Sequence, residues 1–439
     1  MDQTPHTIGA SRRPRPRDGS LMYGKAWRLY TEQGVETQLF VIVFIALMFS
    51  GSTFVSLFPY LLIVLLGLLA AMTVTPFPRV GGCLNIRYLP PVAILLVFAA
   101  FLALQTPVAF DSSITQTYAL RYLLFAPLLV LVPKPEVAFC ALKGCKHYSI
   151  LVAVSIIVAS VISDGRTGGL VGSYHQGGMM MSIACILFLM DYFLEGGRVR
   201  DVLGFGLAIA ALFMSGKRMF ALLVVLAFIA LYVLTRKREG AANPMRLVGV
   251  GLAAIGVMYA VLPPMRTLVQ RMALFGQGEY MATSGRNQLW AMALDIFGSH
   301  SLTGIGFGNF AVYIGEHYTL ENTLPFLTHN IYFGLLSETG VLGLGLILVF
   351  MTLVLTQSLL VLRAARKLTD GIPFYVMTYS VVMQLWFIVD GLTDNGIYVW
   401  HELFFYLSAV AMMLAVSIRL SSAPAPAPPG SVAESADSA

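Results

Sequence analysis

Residues 219–235 read MFALLVVLAFIALYVLT, an apolar run that contains no charged side chain. Basic residues flank the run on both sides, in SGKR at 215–218 and in RKR at 236–238. A transmembrane α-helix needs about 20 apolar residues, so this run predicts a helix that crosses a bilayer. The apolar residues do not alternate with period two, which excludes a membrane β-barrel.

Similar runs recur along the whole chain of 439 residues, of which 57% are hydrophobic and 11% are charged. Soluble globular domains carry about 25% charged residues, so the composition excludes an ordinary soluble enzyme. Helices are predicted near 38–52, 54–74, 89–106, 118–133, 147–163, 177–194, 201–215, 219–235, 246–263, 331–360, 373–390 and 398–418. The predicted fold class is an all-α polytopic membrane protein with about twelve transmembrane helices.

The positions of the basic residues predict the orientation of these helices. With the N-terminus inside, the cytoplasmic segments hold 21 of the 28 lysine and arginine residues, as the positive-inside rule requires. Both termini are therefore predicted to be cytoplasmic, and the basic excess needs no nucleic acid to explain it. Residues 1–37 form a polar tail without the features of a cleavable signal peptide. Residues 421–439 are rich in Pro, Ala and Ser and are predicted to be a disordered tail.

The longest stretch outside the predicted helices is 264–330. It lies on the external side, between helices one to nine (38–263) and helices ten to twelve (331–420). A loop of this length is usually functional, and it is the only predicted soluble segment with room for a site.

Seven basic residues fall on the external side, against the orientation rule: Arg121, Arg166, Lys217, Arg218, Arg266, Arg271 and Arg286. Lys217 and Arg218 share a short hairpin between two apolar helices. For Lys217 the pattern favours a side chain that snorkels to lipid headgroups. Arg218 begins a helix that faces the same compartment as the long loop, which favours a functional role.

Arg286 lies in the stretch TSGRNQLWAMALDIFGS, residues 283–299. Thr283 and Ser284 are good N-cap residues, and the apolar residues that follow recur at helical spacing, so an amphipathic helix is predicted. An arginine in its first turn, where free N–H groups already favour anions, fits a bound anion. The alternative is an exposed arginine on a surface helix.

His329 and Glu338 lie where the loop re-enters the membrane, in THNIYFGLLSETGVLGLG. A histidine on the external side can take a proton at neutral pH, although a lone interfacial histidine is often structural. Glu338 could orient His329 or hydrogen-bond the local backbone. Two arginines can neutralise a diphosphate leaving group without a metal, so this set of residues fits transfer from a lipid diphosphate. No metal or other cofactor is predicted, because the external side lacks the paired carboxylates that Mg²⁺ prefers.

The combination of SGKR at 215–218, SGR…W at 284–290, GIGFGNF at 304–310 and THN at 328–330 resembles the O-antigen ligase superfamily. The resemblance implies a GT-C-like membrane fold in the Gram-negative inner membrane, with a large periplasmic loop that contains amphipathic helices. It also implies an inverting, metal-independent glycosyltransferase. His329 matches the histidine that acts as the base, and Arg218 and Arg286 match the arginines that bind the undecaprenyl diphosphate of the donor.

Four other residues are weaker candidates on the same side. Lys217 and Arg121 are expected to add positive charge near the donor lipid. Arg166 and His175 could touch glycan or belong to a plain loop.

Three functions remain open. An O-antigen ligase would move polymeric O-antigen from undecaprenyl diphosphate to lipid A–core oligosaccharide, and the helix count and compact loop favour it. An O-antigen polymerase would use a second lipid-linked glycan as acceptor. A twelve-helix transporter would show paired halves and midplane ionisable groups. Asp390 and Asp394 are the nearest candidates for such groups, but they fit external helix ends better.

Overall fold

The computed structural model describes residues 28–29, 31, 35–49, 79–80, 83–84, 89–130, 134–163, 167–235, 243–261, 266, 286–318 and 327–422. The helices in these ranges are α1 Val35–Phe49, α2 Leu89–Gln105, α3 Ser112–Val130, α4 Pro135–Ser163, α5 Tyr174–Glu195, α6 Val199–Ser215, α7 Arg218–Thr235, α8 Pro244–Val261, α9 Arg286–Ser299, α10 Phe310–His317, α11 Ile331–Ala365, α12 Gly371–Asp390 and α13 Trp400–Ser422. Strands β1 Arg79–Val80 and β2 Cys83–Leu84 form a small antiparallel pair.

Each predicted apolar helix that falls on described residues corresponds to a helix in the structure. The predicted helix at 54–74, most of the N-terminal tail and residues 423–439 lie outside the described residues. The amphipathic helix predicted in the long loop is α9, whereas its predicted caps, Thr283 and Ser284, also lie outside them.

Within the described part of the chain, seven helices are long and apolar enough to cross a membrane: α2 with the turn that follows it, α4, α5, α7, α11, α12 and α13. Large apolar side chains on the outer faces of several helices are exposed, among them Val225, Ile229, Leu252 and Val349. Such faces require a lipid environment. By the composition of its helices the chain is a multi-pass membrane protein, and the total of twelve spans stays a prediction.

Helices α5, α12 and α13 form the centre of the bundle, because most of their residues are buried by other helices. Helices α5, α7, α11 and α13 all begin at one end, which we call the loop end because α9 and α10 pack there. They all finish at the opposite end, which we call the far end. Among the described residues, segments predicted to be external and segments predicted to be cytoplasmic lie at opposite ends of the bundle, and the compartment that each end faces stays a prediction.

The largest difference from the sequence prediction is the start of α4, which begins at Pro135 and not near 147. The two lysines that placed this segment in a cytoplasmic loop, Lys143 and Lys146, are buried in the helix. The reason is that carboxylates on neighbouring helices pair with both. Charged residues of this kind break an apolar run in the sequence without ending the helix.

These lysines belong to a far-end cluster of five charged residues: Lys143, Lys146, Asp191, Glu195 and Asp201. None of the five is more than 5% exposed. Lys143 Nζ lies 2.5 Å from Asp191 Oδ1 and also contacts Glu195, and Lys146 Nζ lies 2.6 Å from Asp201 Oδ1 and also contacts Asp191. The cluster ties α4, α5 and α6 together, and the hydroxyl of Tyr375 on α12 donates to Asp191 Oδ1 over 2.6 Å.

We expect Asp191→Ala to lower the free energy of unfolding by about 3–5 kcal/mol, because it strands two buried ammonium groups without their shared carboxylate. The measurement is thermal unfolding of the full chain in detergent, followed by tryptophan fluorescence. Glu316→Ala, which removes an exposed carboxylate from α10, is the matched control and should leave the midpoint unchanged. Equal midpoints for the two variants would show that the cluster does not stabilise the bundle.

Candidate active site at the loop end

His329 occupies an unusual backbone position immediately before α11. Its φ is +48°, and it is the only residue other than glycine with a positive φ in the described part of the chain. Asn330 follows as the N-cap, and its side-chain oxygen accepts hydrogen bonds from the backbone N–H groups of Tyr332 and Phe333. The Asn330 amide also donates to the carbonyl of Leu392 over 3.0 Å. The histidine is therefore held between the start of α11 and the loop between α12 and α13.

Two polar side chains from that loop converge on Nδ1 of His329. The amide group of Asn395 lies 3.1 Å from Nδ1, and Oδ1 of Asp394 lies 3.8 Å from it. The Asn395 atom that faces Nδ1 is the amide nitrogen, which can only donate. Turning this amide by 180° brings Oδ1 of Asn395, a buried atom without a hydrogen-bond partner, to Nδ1. The ring then donates from Nδ1 and keeps a lone pair on Nε2, which can accept a proton. About a quarter of the histidine side chain is exposed, which gives a substrate access to it.

Asp394 stands at the centre of a group of basic side chains. Besides His329, Nδ1 of His175 lies 3.6 Å and Nζ of Lys217 lies 3.7 Å from its Oδ2 atom. Burial alone would raise the pKa of Asp394, but the hydrogen bond with His329 and the charges of His175 and Lys217 outweigh burial and lower the pKa well below its ordinary range. Asp394 is thus a fixed negative charge at neutral pH.

The basic hairpin that leads into α7 reaches this group through Lys217. Gly216, in the left-handed conformation at φ +73°, ends α6, and α7 begins at Arg218. Lys217, for which the sequence favours lipid headgroups, lies within ion-pair distance of Asp394 in the structure. Arg218, the next residue, is exposed and brings a second cation to the same end of the bundle.

Helix α9 brings Arg286 to the loop end. Leu289, Ala293 and Ile296 of this helix are buried and belong to a small core formed with the α10 region. Trp290 donates from its indole N–H to the carbonyl of Thr328 over 2.9 Å, so α9 is bonded to the residue before His329. Half-buried Arg286 is the first residue of α9, one turn before Trp290 and on the same face of the helix.

Glu338 holds the glycine-rich turn at 304–308 instead of contacting His329 in the described structure. Its carboxylate accepts hydrogen bonds from the backbone N–H groups of Gly308 and Phe310, both at 2.8 Å. Gly304 has a positive φ of +67°, and a Cβ there would collide with the backbone of Glu338, so the turn approaches α11 closely at this residue. The sequence left two possibilities for Glu338, and its observed contacts are those of the backbone-bonding alternative.

Arg121 also lies at the loop end, but its observed partners belong to the protein. The guanidinium donates to the carbonyl of Tyr398 over 2.8 Å and lies 4.5 Å from the centre of the Tyr118 ring. Arg166 lies outside the described residues. Among the residues that the structure does describe, no group of three or more His, Cys, Asp and Glu side chains could hold a metal ion.

Sequence reasoning named the basic residues of the site but not the roles of their acidic partners. The sequence does contain a signal for Asp394 and Asn395, because the DNG turn at 394–396 follows a predicted helix on the same side as His329. Glu402 gives no such signal, since it sits inside an apolar helix. Its contact with His175, 2.8 Å between Oε1 and Nε2, joins residues that are far apart in the chain.

Asp394→Asn tests the pH dependence that follows from the lowered pKa of Asp394. The carboxylate stabilises the folded protein above its ordinary pKa of 3.8, and this contribution is lost as the pH falls through the lower folded-state value. We expect the difference in unfolding midpoint between the wild type and Asp394→Asn to be constant from about pH 8 to about pH 5 and to shrink below about pH 4. A difference that already disappears between pH 7 and pH 5 would contradict the assignment.

Comparison with known proteins finds a similarity for the central part of the chain. No curated protein matches the chain. Residues 203–348 match the family model described as O-Antigen ligase. The matched segment extends from α6 into α11 and includes Lys217, Arg218, Arg286, His329 and Glu338. Over this segment the chain is similar to the O-antigen ligase domain that O-antigen ligases and polymerases share.

Proposed function

We propose that the chain is an O-antigen ligase of the Gram-negative inner membrane, whose active site at the loop end faces the periplasm. It transfers O-antigen polysaccharide from undecaprenyl diphosphate to a sugar hydroxyl of lipid A–core. The proposal rests chiefly on the geometry of His329, whose backbone is left-handed and whose Nδ1 lies beside Asp394 and Asn395. The match of residues 203–348 to the O-antigen ligase family supports it.

His329 acts as the general base in the proposed reaction. Nε2 takes the proton of the acceptor hydroxyl while the hydroxyl oxygen attacks the anomeric carbon of the donor. The bond between that carbon and the diphosphate oxygen breaks, and the electron pair leaves with undecaprenyl diphosphate. Because attack comes from the face opposite the leaving group, the anomeric configuration inverts. The negative charge of Asp394 stabilises the imidazolium that forms.

Arg218 and Arg286 bind the diphosphate of the donor. A planar guanidinium binds two phosphate oxygens at once, and neither reaction partner then requires a metal for charge neutralisation. Arg218 lies beside Lys217, which is 3.7 Å from Asp394, and Arg286 begins the helix that is bonded to Thr328 through Trp290. Both cations are therefore carried on elements that also contact the His329 region.

The function is tested in the parent bacterium after deletion of the gene, by complementation with the wild type or with His329→Ala. Lipopolysaccharide gels should show O-antigen ladders with the wild type and bare lipid A–core with His329→Ala, because the acceptor is no longer deprotonated. His300→Ala, which removes an exposed histidine of the same loop region, is the control and should restore the ladder.

Other patterns in this experiment would contradict the proposal. Lipid A–core that carries single repeat units in the deletion strain would indicate a polymerase, because polymerisation would be lost while ligation persists. A normal ladder from His329→Ala in the membrane fraction would refute the assignment of the base.

Arg218→Ala and Arg286→Ala test the diphosphate site in membranes supplied with lipid-linked donor. We expect each to reduce kcat/KM for the donor by about 10- to 100-fold, the loss of roughly 1.4–3 kcal/mol of charge-assisted contact. The apparent KM for the acceptor should change little. Arg363→Ala, which removes an exposed arginine from the last turn of α11 at the far end, is the control. If both arginine variants use donor as well as this control, the diphosphate assignment is wrong.

A further inference from the structure

His175 is the second residue of α5 and lies between two carboxylates. Its Nε2 is 2.8 Å from Oε1 of Glu402, and its Nδ1 faces Oδ2 of Asp394 at 3.6 Å. The ring also packs against Phe220 of α7, with 5.4 Å between the ring centres. The histidine therefore bridges the start of α13 and the loop that carries Asp394.

The charged groups around His175 come from four elements. Asp394 belongs to the loop between α12 and α13, Glu402 to the first turn of α13, and Lys217 to the turn between α6 and α7. Asp390, at the end of α12, is a further buried carboxyl group close enough to His175 to interact with it electrostatically. Glu402 itself is fully buried, so it needs a partner inside the protein.

The proton that Glu402 and Nε2 of His175 share determines whether Nδ1, the second ring nitrogen, is a hydrogen-bond donor. Either the carboxyl group keeps its proton and donates to Nε2 of a neutral ring whose hydrogen is on Nδ1, or the proton passes to Nε2 and the ring becomes an imidazolium with a hydrogen on each nitrogen, paired with the Glu402 carboxylate. In both states Nδ1 carries a hydrogen, and that hydrogen faces Asp394. The rigid start of α13 thus orients a donor toward the carboxylate beside His329.

We propose that His175 is a positioning residue for the reaction: its Nδ1–H, 3.6 Å from Oδ2 of Asp394, attracts that oxygen electrostatically and so keeps Oδ1 turned toward His329. This inference rests on the proposed role of His329 as the base. Lys217 faces the same oxygen, but its side chain is a quarter exposed and lies next to Arg218, where the donor diphosphate binds. His175 instead is anchored from within the protein by Glu402, so its hold on Asp394 does not depend on the exposed cation.

Two isosteric variants separate this positioning role from a merely structural one. An asparagine places its amide where Nδ1 was and can still donate to Asp394, whereas a glutamine places its amide where Nε2 was and can only serve Glu402. Positioning therefore predicts that His175→Asn keeps kcat within about threefold of the wild type. His175→Gln should lose about 10- to 100-fold in kcat with an unchanged KM for the donor. A structural role, which consists of satisfying the buried Glu402, predicts the opposite order.

The experiment uses the full chain in proteoliposomes with lipid-linked donor and lipid A–core acceptor. His300→Asn, on an exposed histidine of the same face, is the control. In the Asp394→Asn background, His175→Gln should cause no further loss, because the residue through which it acts is already altered. Equal activity of both His175 variants, the opposite order, or additive losses with Asp394→Asn would each overturn the proposal.

A second measurement keeps the test independent of turnover. Carbethoxylation of His329 by diethylpyrocarbonate is followed by mass spectrometry. It should be faster in His175→Gln than in the wild type and unchanged in His175→Asn. The reason is that only the glutamine variant releases Asp394 from its place beside Nδ1 of His329, which leaves that nitrogen open to the reagent. If the wild type transfers no glycan but the labelling shows this difference, the proposed function fails and the positioning stands. Equal labelling in all three proteins overturns the positioning. If a His175 variant does not fold, Glu402→Gln takes its place. The glutamine amide can still donate to Nε2 of His175, so this variant should behave as the wild type.

Discussion

Charge burial in an apolar bundle is the constraint on which the rest of this structure depends. A charged group withdrawn from water must find its partner within the protein, and the chain meets this requirement at both ends of the bundle. At the far end, five charged residues pair among themselves and join α4, α5 and α6. At the loop end, Asp394 is surrounded by His329, His175 and Lys217.

Both ends of the bundle pair buried charges, but the two groups differ in their exposure to solvent. The far-end cluster is closed, because its members contact each other and none is more than 5% exposed. The group around Asp394 remains partly open, since the side chains of His329, His175 and Lys217 are each about a quarter exposed. A closed cluster fixes helices, whereas an open one leaves ionisable atoms available to a substrate. This contrast supports the proposal of an active site at the loop end on physical grounds that are separate from the family match.

The helices could be predicted because apolar runs and their flanking charges are local signals. The run at 219–235 predicted α7 to within one residue, and the basic residues on the external side led to Lys217, Arg218 and Arg286. The start of α4 could not be predicted, because Lys143 and Lys146 appear as loop charges until their partners on other helices are known. The same limit applies to the site. The contacts of His175 with Asp394 and Glu402 join segments separated by more than two hundred positions, and a single sequence holds no local trace of such contacts.

The left-handed backbone at His329 lowers the stability of the folded chain at the position of the proposed base. Histidine visits this conformation more readily than most residues, yet a side chain there still costs of order 1 kcal/mol relative to glycine, which would adopt a φ of +48° without strain. Selection for stability alone, in nature or in the laboratory, would therefore favour glycine at position 329 and remove the proposed base. A thermostabilised version of the protein must therefore keep the histidine, and an inactive homologue that has drifted toward stability would be recognisable by a glycine between the residue that corresponds to Thr328 and the asparagine that caps α11.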